Sequence, residues 1–307
     1  MNTDKLLNFE TVTDYDDMLG VETLHPLVNV IDLSKAKRMH PLRHTFSFYV
    51  VFLKDEKNCD LLYGRQYYDY QKGSVVCLAP GQVIGIEDTT GEVFQPQGWA
   101  LCFHPDLIRG TNLGRNIKEY SFFSYEVNEA LHLSERERKV FLNCLDMIRE
   151  EIGHSIDRMS KRLISNSIEL LLNHCLRFYE RQFITRQKAN NDILTRFEAL
   201  LDSYFSGDNA QQNGLPSVKY CAGELCLSTN YFGDLIKKET GKTALEHIQH
   251  KIISIAKEQL LIPSNSVSQV SYRLGFQYPQ HFTRVFKKAT GITPNEYRGK
   301  VVLQNLS

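Results

Sequence analysis

The sequence lacks long apolar runs, has a single tryptophan and shows no excess of either charge over its 307 residues. No stretch approaches the ~18 uninterrupted apolar residues of a membrane-spanning helix, so we expect no membrane partner. The first residues are polar and acidic, without the basic and then apolar order of a secretion signal, so we expect a cytoplasmic protein. The 36 Lys and Arg residues balance 36 Asp and Glu residues. If that balance were even along the chain, it would argue against nucleic-acid binding.

The charge is not evenly distributed. Residues 214–307 carry 12 Lys and Arg against 6 Asp and Glu, whereas residues 1–213 carry 24 against 30. Such an asymmetry predicts a basic module joined to an acidic one. The alternative is that the net charge of a small helical domain differs from zero by a few units without a functional reason. Net charge informs about binding partners rather than about fold.

Several sequence motifs that are typical of metal sites, phosphate-binding loops and hydrolases are absent. No Cys-x-x-Cys pair occurs, and there is no Gly-rich phosphate loop and no Gly-x-Ser-x-Gly. The histidines of the first half do not form the His-x-His arrangement of a metallocupin (His25, His40, His44 and His104). We therefore expect no enzyme, no metal and no cofactor. The seven cysteines have mainly apolar neighbours, which predicts reduced thiols in the core, Cys221 and Cys226 included.

The segment 45–103 has the pattern of β-strands. Apolar Phe46, Phe48, Val50 and Phe52 alternate with their neighbours, which is typical of one strand with a buried face. Further short runs follow, separated by Gly and Pro turns, at 67–70, 74–79, 83–86 and 99–103. Several short strands at close spacing predict a small barrel or jelly roll.

After residue 105 the pattern becomes helical. Ser134 and Glu137 form a capping-box signature that predicts a helix to residue 152, and further helices are predicted over 159–182 and 193–205. The polar stretch 206–217 predicts a loop. Strands first and helices after indicate a multidomain α and β chain, with a β-barrel and following helices in one module and an all-α domain in the other.

The helical end contains an internal repeat. The segments 231–247 and 281–297 share Phe, Lys-Lys, Thr-Gly, Thr and Glu at an offset of 50 residues. A short amphipathic helix and a tight turn precede each copy, with Ser228 as N-cap of the first and Pro279 at the first helical position of the second. Helix, tight turn and second helix are the helix-turn-helix pattern, predicted here over about 217–240 and 266–290.

The faces of the repeated helices suggest DNA recognition. Apolar positions 232, 235 and 236, and 282, 285 and 286, define the buried sides, and polar side chains point away. Gln pairs with adenine, Arg with guanine, and Lys neutralises phosphate. The candidate DNA-binding residues are Thr229, Asn230, Gly233, Asp234, Lys237 and Lys238 in the first copy and Pro279, Gln280, His281, Thr283, Arg284, Lys287 and Lys288 in the second. The alternative is that these are solvated faces of structural helices.

A helix predicted over Thr243–Ile262 joins the two copies, with apolar residues along one face. A rigid connector of this length could hold two recognition helices about one turn of DNA apart, on the order of 34 Å. One chain would then contact two adjacent segments of the major groove.

The run SVSQVSYRLGFQYPQHFTRVFKKATGITPNEYR (266–298) resembles the signature of AraC/XylS-type bacterial transcription regulators, through its Leu-Gly-Phe turn, Phe-Lys-Lys, Thr-Gly and Thr-Pro-x-x-Tyr-Arg. The resemblance covers about 191–307. It implies a monomeric DNA-binding module with two helix-turn-helix units whose recognition helices span Thr229–Lys238 and Pro279–Lys288. The first copy departs from better-known members at Gly233 and Asp234, where longer or basic side chains often stand. We therefore expect it to contact mainly phosphates.

The first 190 residues resemble, more weakly, the cupin-like sensor domains of such regulators, chiefly through KGSVVCLAPGQV (72–83) and GWALCFHPDLI (98–108). This resemblance implies a small-molecule effector, and a homodimer formed through the helices predicted at 134–152 and 159–182. Packing onto the barrel explains those apolar helix faces equally well. The strand aromatics could line an effector pocket or fill a core (Phe46, Phe48, Tyr49, Tyr67, Tyr68 and Tyr70).

Together these features predict a regulator that binds double-stranded promoter DNA and has RNA polymerase as a further partner. One alternative is a cupin-type metal enzyme with a helical tail, which depends on analogy of fold. Another is an architectural DNA-binding protein without sequence preference.

Overall fold

A computed structural model describes residues 6–40, 43–54, 61–62, 73–86, 93–125, 129–185 and 187–304. The chain divides into two compact units, Met1–Thr185 and Arg186–Ser307. In the parts of the chain that are described, no helix combines the length and the apolarity needed to cross a membrane.

Most strands of the amino-terminal unit precede its long helices, as predicted. They are not confined to residues 45–103, however, because short strands also occur at Leu7–Phe9, Val28–Asp32 and Leu131–His132. The described strands form two sheets. The order is β1 (Leu7–Phe9), helix α1 (Val12–Leu19), β2 (Val28–Asp32), β3 (Arg43–Phe46), β4 (Tyr49–Lys54), β5 (Leu61–Leu62), β6 (Ser74–Leu78), β7 (Val83–Ile86), β8 (Trp99–Phe103) and β9 (Leu131–His132). One sheet has the order β1-β3-β7-β5 and the other β2-β8-β4-β6-β9. All neighbours are antiparallel except the parallel pair β1 and β3. Within the described residues the strands therefore do not close into one barrel.

The core of this unit lies between the two sheets and is rich in aromatic rings. Phe46 from the first sheet is buried and its ring centroid lies 5.0 Å from that of Tyr15, 5.1 Å from that of Phe48 and 5.8 Å from that of Phe9. Apolar residues of the second sheet, including Val50, complete the cluster. Phe46 and Phe48 therefore fill the core rather than line a pocket. Of the other strand aromatics, Tyr67, Tyr68 and Tyr70 lie outside the described residues.

The prediction of a single strand from the alternation at 46–52 is wrong. The chain turns at Ser47 and Phe48, so that β3 and β4 belong to different sheets. The backbone N–H of Ser47 donates to the carbonyl of Phe9 at 2.9 Å, and Phe48 is fully buried at the corner. Because the corner residue remains in the core, the period of two continues through the turn. The pattern alone does not reveal the change of sheet.

Helices complete the amino-terminal unit, namely α2 (Pro105–Ile108), α3 (Asn112–Asn116), α4 (Glu135–Gly153) and α5 (Ser160–Thr185). The predicted capping box of α4 is confirmed, since Ser134 and Glu137 bond each other's backbone. The carboxylate of Glu137 also accepts from Arg181 at 2.7 Å, which joins the start of α4 to α5. Burial alone would raise the pKa of Glu137, but hydrogen bonds from Ser134 and Arg181 lower it below its usual value.

The carboxy-terminal unit is helical throughout its described length, with α6 (Gln187–Ser206), α7 (Asn209–Asn213), α8 (Val218–Glu224), α9 (Thr229–Thr240), α10 (Ala244–Leu260), α11 (Val267–Arg273), α12 (Pro279–Thr290) and α13 (Pro294–Gln304). Edge-to-face packing of Phe197 on Phe232, with centroids 5.0 Å apart, joins α6 to α9. Phe286 of α12 packs in the same way on Tyr297 of α13, at 5.6 Å.

The predicted loop at 206–217 contains a helix, α7, and this prediction is therefore corrected. Ala210 is fully buried, and the hydroxyl of Tyr204 donates to the carbonyl of Gly214 at 2.9 Å. The segment packs on the turn after α11. A Cβ on Gly275 would lie 2.6 Å from the carbonyl oxygen of Ala210 and 2.7 Å from the carbonyl carbon of Gly214. The one buried alanine is too weak a signal to mark a helix in a polar stretch.

Gly275 is required for two reasons, its φ of +90° and the close backbone approach. We expect Gly275→Ala to lower the free energy of unfolding of the carboxy-terminal unit by about 3 kcal/mol, from strain plus steric overlap. The matched control is Gly291→Ala, at a φ of +81° with no atom within 4 Å of the added Cβ. That substitution should cost only about 1 kcal/mol.

Both values are measured by circular dichroism in urea on the full chain. Fluorescence of Trp99, the single tryptophan, reports on the amino-terminal unit, and its transition should not move. Equal losses for the two alanine variants would contradict the close packing of α7 against the turn.

Candidate nucleic-acid interface

The first helix-turn-helix unit consists of α8, a tight turn and α9. The backbone N–H of Leu227 donates to the carbonyl of Ala222 at 2.9 Å, which closes the turn. Cys226 has a φ of +59°, the left-handed conformation that the turn requires. The hydroxyl of Ser228 accepts from the backbone N–H of Tyr231 at 3.2 Å, which confirms the predicted N-cap.

Cys226 corrects the prediction that both cysteines of this region are core residues. Its side chain is exposed, whereas Cys221 is buried. The reason is the position of Cys226 at the second residue after α8, where the chain has already left the helix. Burial raises the pKa of the Cys221 thiol to about 11.

The second unit consists of α11, its turn and α12. Gly275, again the second residue after the helix, has the left-handed conformation, and the N–H of Phe276 donates to the carbonyl of Ser271 at 3.1 Å. Pro279 occupies the first turn of α12, as predicted. Since Tyr278 makes no side-chain cap, the proline itself defines the start of this helix.

The repeat extends to individual hydrogen bonds. Thr243 N–H and hydroxyl donate to Glu246 at 2.7 and 2.9 Å, and Thr293 donates in the same way to Glu296 at the same distances. Each pair is a capping box at the start of the helix that follows a recognition helix. Backbone hydrogen bonds from these threonines lower the pKa of both glutamates. The two copies therefore leave their recognition helices by the same local structure.

Burial determines which side of each recognition helix faces outward. In α9, Phe232, Leu235 and Ile236 are fully buried, and in α12 Phe282 and Phe286 are fully buried. Val285, predicted to be buried as well, is only half-buried. It lies at the edge of the apolar face, where solvent reaches one side of the residue.

Most of the candidate residues are exposed. On α9 these are Thr229, Asn230, Lys237 and Lys238, and on α12 Gln280, His281, Arg284, Lys287 and Lys288. Gly233, Asp234, Pro279 and Thr283 are half-buried. The hydroxyl of Thr283 donates to the carbonyl of Pro279 at 3.0 Å, and the ring of His281 packs edge-on against Phe276 at 5.6 Å. These two side chains are thus partly held by their own unit.

Two groups can be distinguished among the cations of the carboxy-terminal unit. The first group holds the fold: Arg298 donates to the carbonyl of Leu260 at 2.8 Å and to that of Asn265 at 2.6 Å. Arg273 donates to the side chain of Asn265 at 3.1 Å, and Lys251 is paired with Asp202. The second group comprises the five cations of the recognition helices, for which the described residues show no ion pair: Lys237, Lys238, Arg284, Lys287 and Lys288.

Two residues next to α12 were not among the sequence candidates. Gln277 and Tyr278 lie in the turn before the helix and are exposed, Tyr278 to 70%. An aromatic side chain so exposed beside a proline-started helix is a usable sequence signal, because tyrosine hydroxyls often contact phosphate. The helical pattern alone, which begins at Pro279, does not include either residue.

A family model described as a helix-turn-helix domain matches residues 221–300. The chain is 37% identical over 87 residues to the uncharacterized transcriptional regulatory protein YesN of Bacillus subtilis, a match that spans 27% of this chain and 24% of that protein. It is 26% identical over 226 residues to the uncharacterized HTH-type transcriptional regulator YijO of Escherichia coli, over 74% of this chain and 76% of the relative.

Among solved structures, a transcriptional regulator from Chromobacterium violaceum, described as containing an AraC-type DNA-binding domain, matches with 21% identity and a TM-score of 0.32. The match covers 37% of this chain and 95% of that structure. The family match and the named relatives confirm the resemblance that the motifs at 266–298 indicated.

Gly233 lies within α9, where a glycine lowers the stability of the helix. No atom lies within 4 Å of a Cβ placed there. Gly233→Ala should therefore raise the free energy of unfolding of the carboxy-terminal unit by about 1 kcal/mol, through the higher helix propensity of alanine. Gly241→Ala, at a φ of +71° with equally open surroundings, is the control and should lower it by about 1 kcal/mol. Urea unfolding followed by circular dichroism measures both, and a loss for Gly233→Ala would mean that the site is crowded.

Proposed function

We propose that this chain, a transcriptional regulator with an AraC-type helix-turn-helix domain, binds promoter DNA sequence-specifically through α9 and α12. The observation that supports this best is the repeat within one unit. Two copies of the same helix, turn and helix each expose a polar face with cations that pair with no described carboxylate. Such a face suits a partner that supplies negative charge along its surface.

The two recognition helices have different tasks in this proposal. On α12, Gln280 and Arg284 contact base edges, and Lys287 and Lys288 contact phosphates, with His281, Thr283 and Pro279 lining the contact. On α9, Lys237 and Lys238 contact phosphates together with Thr229 and Asn230. Gly233 and Asp234 offer no cation there, so α9 contributes less to base recognition.

The connector α10 sets the separation of the two helices. It has 17 residues, which corresponds to about 25 Å of helix. Capped at Thr243 and tied at its end to Arg298, it is a rigid element. This length is compatible with two recognition helices in successive turns of one major groove, on the order of 34 Å apart.

Arg284→Ala is expected to weaken binding to the preferred site by about 1–3 kcal/mol and to relax the preference at one base pair, because a bidentate contact to guanine is lost. The preferred site is first obtained by selection from randomised duplex DNA with the full chain. Affinities for that site and its single-base variants are then compared. An unchanged base preference in Arg284→Ala would contradict the assignment of α12.

Lys237→Ala is the matched contrast, since it removes one cation from a helix assigned to phosphate. Affinity should fall by a similar factor on every sequence, and the slope of log affinity against log salt should become shallower by about 1. A change of base preference in this variant would mean that α9 contacts bases directly.

We extend the proposal to a homodimer formed by α4 and α5. Leu163 and Leu170 are seven residues apart on α5, and they are 43% and 42% exposed. Covering this apolar surface in a dimer would be favourable, because it removes the surface from water. The double variant Leu163→Asp with Leu170→Asp should sediment as a monomer when the native chain sediments as a dimer. Leu261→Asp, also 44% exposed but in the other unit, is the control and should leave the dimer intact. Dimeric sedimentation of the double variant would place the interface elsewhere.

A small molecule bound in the amino-terminal unit completes the proposal, and RNA polymerase at the promoter is the further partner of this cytoplasmic protein. The enzyme alternative has less support, because the named relatives are regulators. No group of three or more His, Cys, Asp or Glu side chains that could hold a metal occurs in the ranges of the chain that the structure describes.

A further inference from the structure

A cleft in the acidic amino-terminal unit has a strongly basic lining. It has a volume of about 540 Å³ and lies where the turn between α2 and α3 meets the beginning of α5. Five of its nine lining residues are cations and none is a carboxylate; the cations are Arg109, Arg115, Arg158, Lys161 and Arg162. Residues 1–213 as a whole carry more Asp and Glu than Lys and Arg, so this concentration of positive charge runs against its surroundings.

Side-chain hydrogen bonds hold the two walls of the cleft together. The ammonium group of Lys161 on α5 donates to the carbonyl of Arg109 at 3.0 Å and to that of Asp106 at 3.3 Å. The amide of Asn112 on α3 donates to Glu169 on α5 at 2.9 Å. Segments separated by about fifty residues are thereby fixed against each other.

The carboxylates near the cleft have partners other than Arg115, Arg158 and Arg162. Asp106 pairs with Arg109 at 2.6 Å, and Glu169 accepts from Asn112. Asp157 accepts from the backbone N–H groups of Met159 and Ser160 at 2.7 and 3.0 Å, and these bonds lower its pKa. The carboxylates adjoining the cleft therefore offset only part of its charge.

Arg158, Arg162 and Arg115 supply the remaining charge. No described carboxylate lies within ion-pair distance of any of the three, and all are exposed. Arg115 donates to the side-chain oxygen of Asn112 at 3.3 Å, which orients it from the α3 side. Because Arg115 lies on one wall and Arg158 and Arg162 lie on the other, an anion in the cleft would be attracted by guanidinium groups from both sides.

We propose that this cleft binds a small phosphorylated molecule, with Arg158 and Arg162 on one wall and Arg115 on the other as its main ligands. Arginine forms paired hydrogen bonds with phosphate oxygens, which suits a ligand of two or more phosphate groups between facing walls. The volume falls within the range of small-molecule sites. The site lies in the amino-terminal unit, so this inference rests on the small-molecule part of the proposed function and not on its DNA contacts.

Isothermal titration calorimetry on the full chain tests this with three probes that share the chemistry: inorganic pyrophosphate, ATP and fructose 1,6-bisphosphate. We expect one equivalent of at least one probe to bind per chain, and the strongest of the three identifies the ligand source. The double variant Arg158→Gln with Arg162→Gln should weaken that binding by about tenfold or more, since two charged hydrogen-bond donors are lost.

Two controls make the outcome decisive. Arg136→Gln with Lys139→Gln removes two exposed cations of α4 that do not line the cleft and should bind as the native chain does. Lys237→Gln with Lys287→Gln removes cations of the recognition helices and should also leave probe binding unchanged.

The proposal is overturned if no probe binds the native chain at millimolar concentration, or if the cleft variant binds as well as the native chain. It is equally overturned if binding is lost only in the recognition-helix variant. If the cleft variant loses affinity for a non-cognate DNA duplex while no probe binds, the cleft is a contact for nucleic-acid backbone instead.

Discussion

Burial of phenylalanine on one side of each recognition helix is the constraint on which the rest of the DNA-binding unit depends. Phe232 packs against Phe197, and Phe282 lies between Phe276 and Phe286 with ring centroids 5.4 and 5.7 Å away. Because an α-helix has a period of 3.6 residues, anchoring these rings fixes the rotation of the helix about its axis. Lys237 and Arg284 are exposed as a consequence.

The two helix-turn-helix units are more alike in their hydrogen bonds than in their outward faces. Each recognition helix ends at a glycine with positive φ, and each is followed by a Thr–Glu capping box of the same geometry. The inner side and the carboxy-terminal helix ends repeat, and so do the exposed pairs Lys237-Lys238 and Lys287-Lys288. One turn before these lysines, however, one copy carries Arg284 where the other carries Asp234.

Local signals in the sequence predict helix ends well and long-range geometry poorly. The Ser134–Glu137 box, the Ser228 cap and Pro279 each act within four residues, and each was found where the pattern indicated. The corner at Phe48 and the helix around Ala210 depend on partners far along the chain, Phe9 in one case and Gly275 in the other. The basic cleft could not be predicted from local sequence for the same reason, because Arg115 and Arg158 line one cleft only through the packing of α3 on α5.

The central claim is that one carboxy-terminal unit places two helices in successive turns of one major groove. Hydroxyl-radical footprinting of the full chain on its selected DNA site measures this directly. For each bound chain, we expect two protected blocks on one face of the duplex, about 10–10.5 base pairs apart. A single block per chain, or two blocks on opposite faces of the duplex, would contradict it.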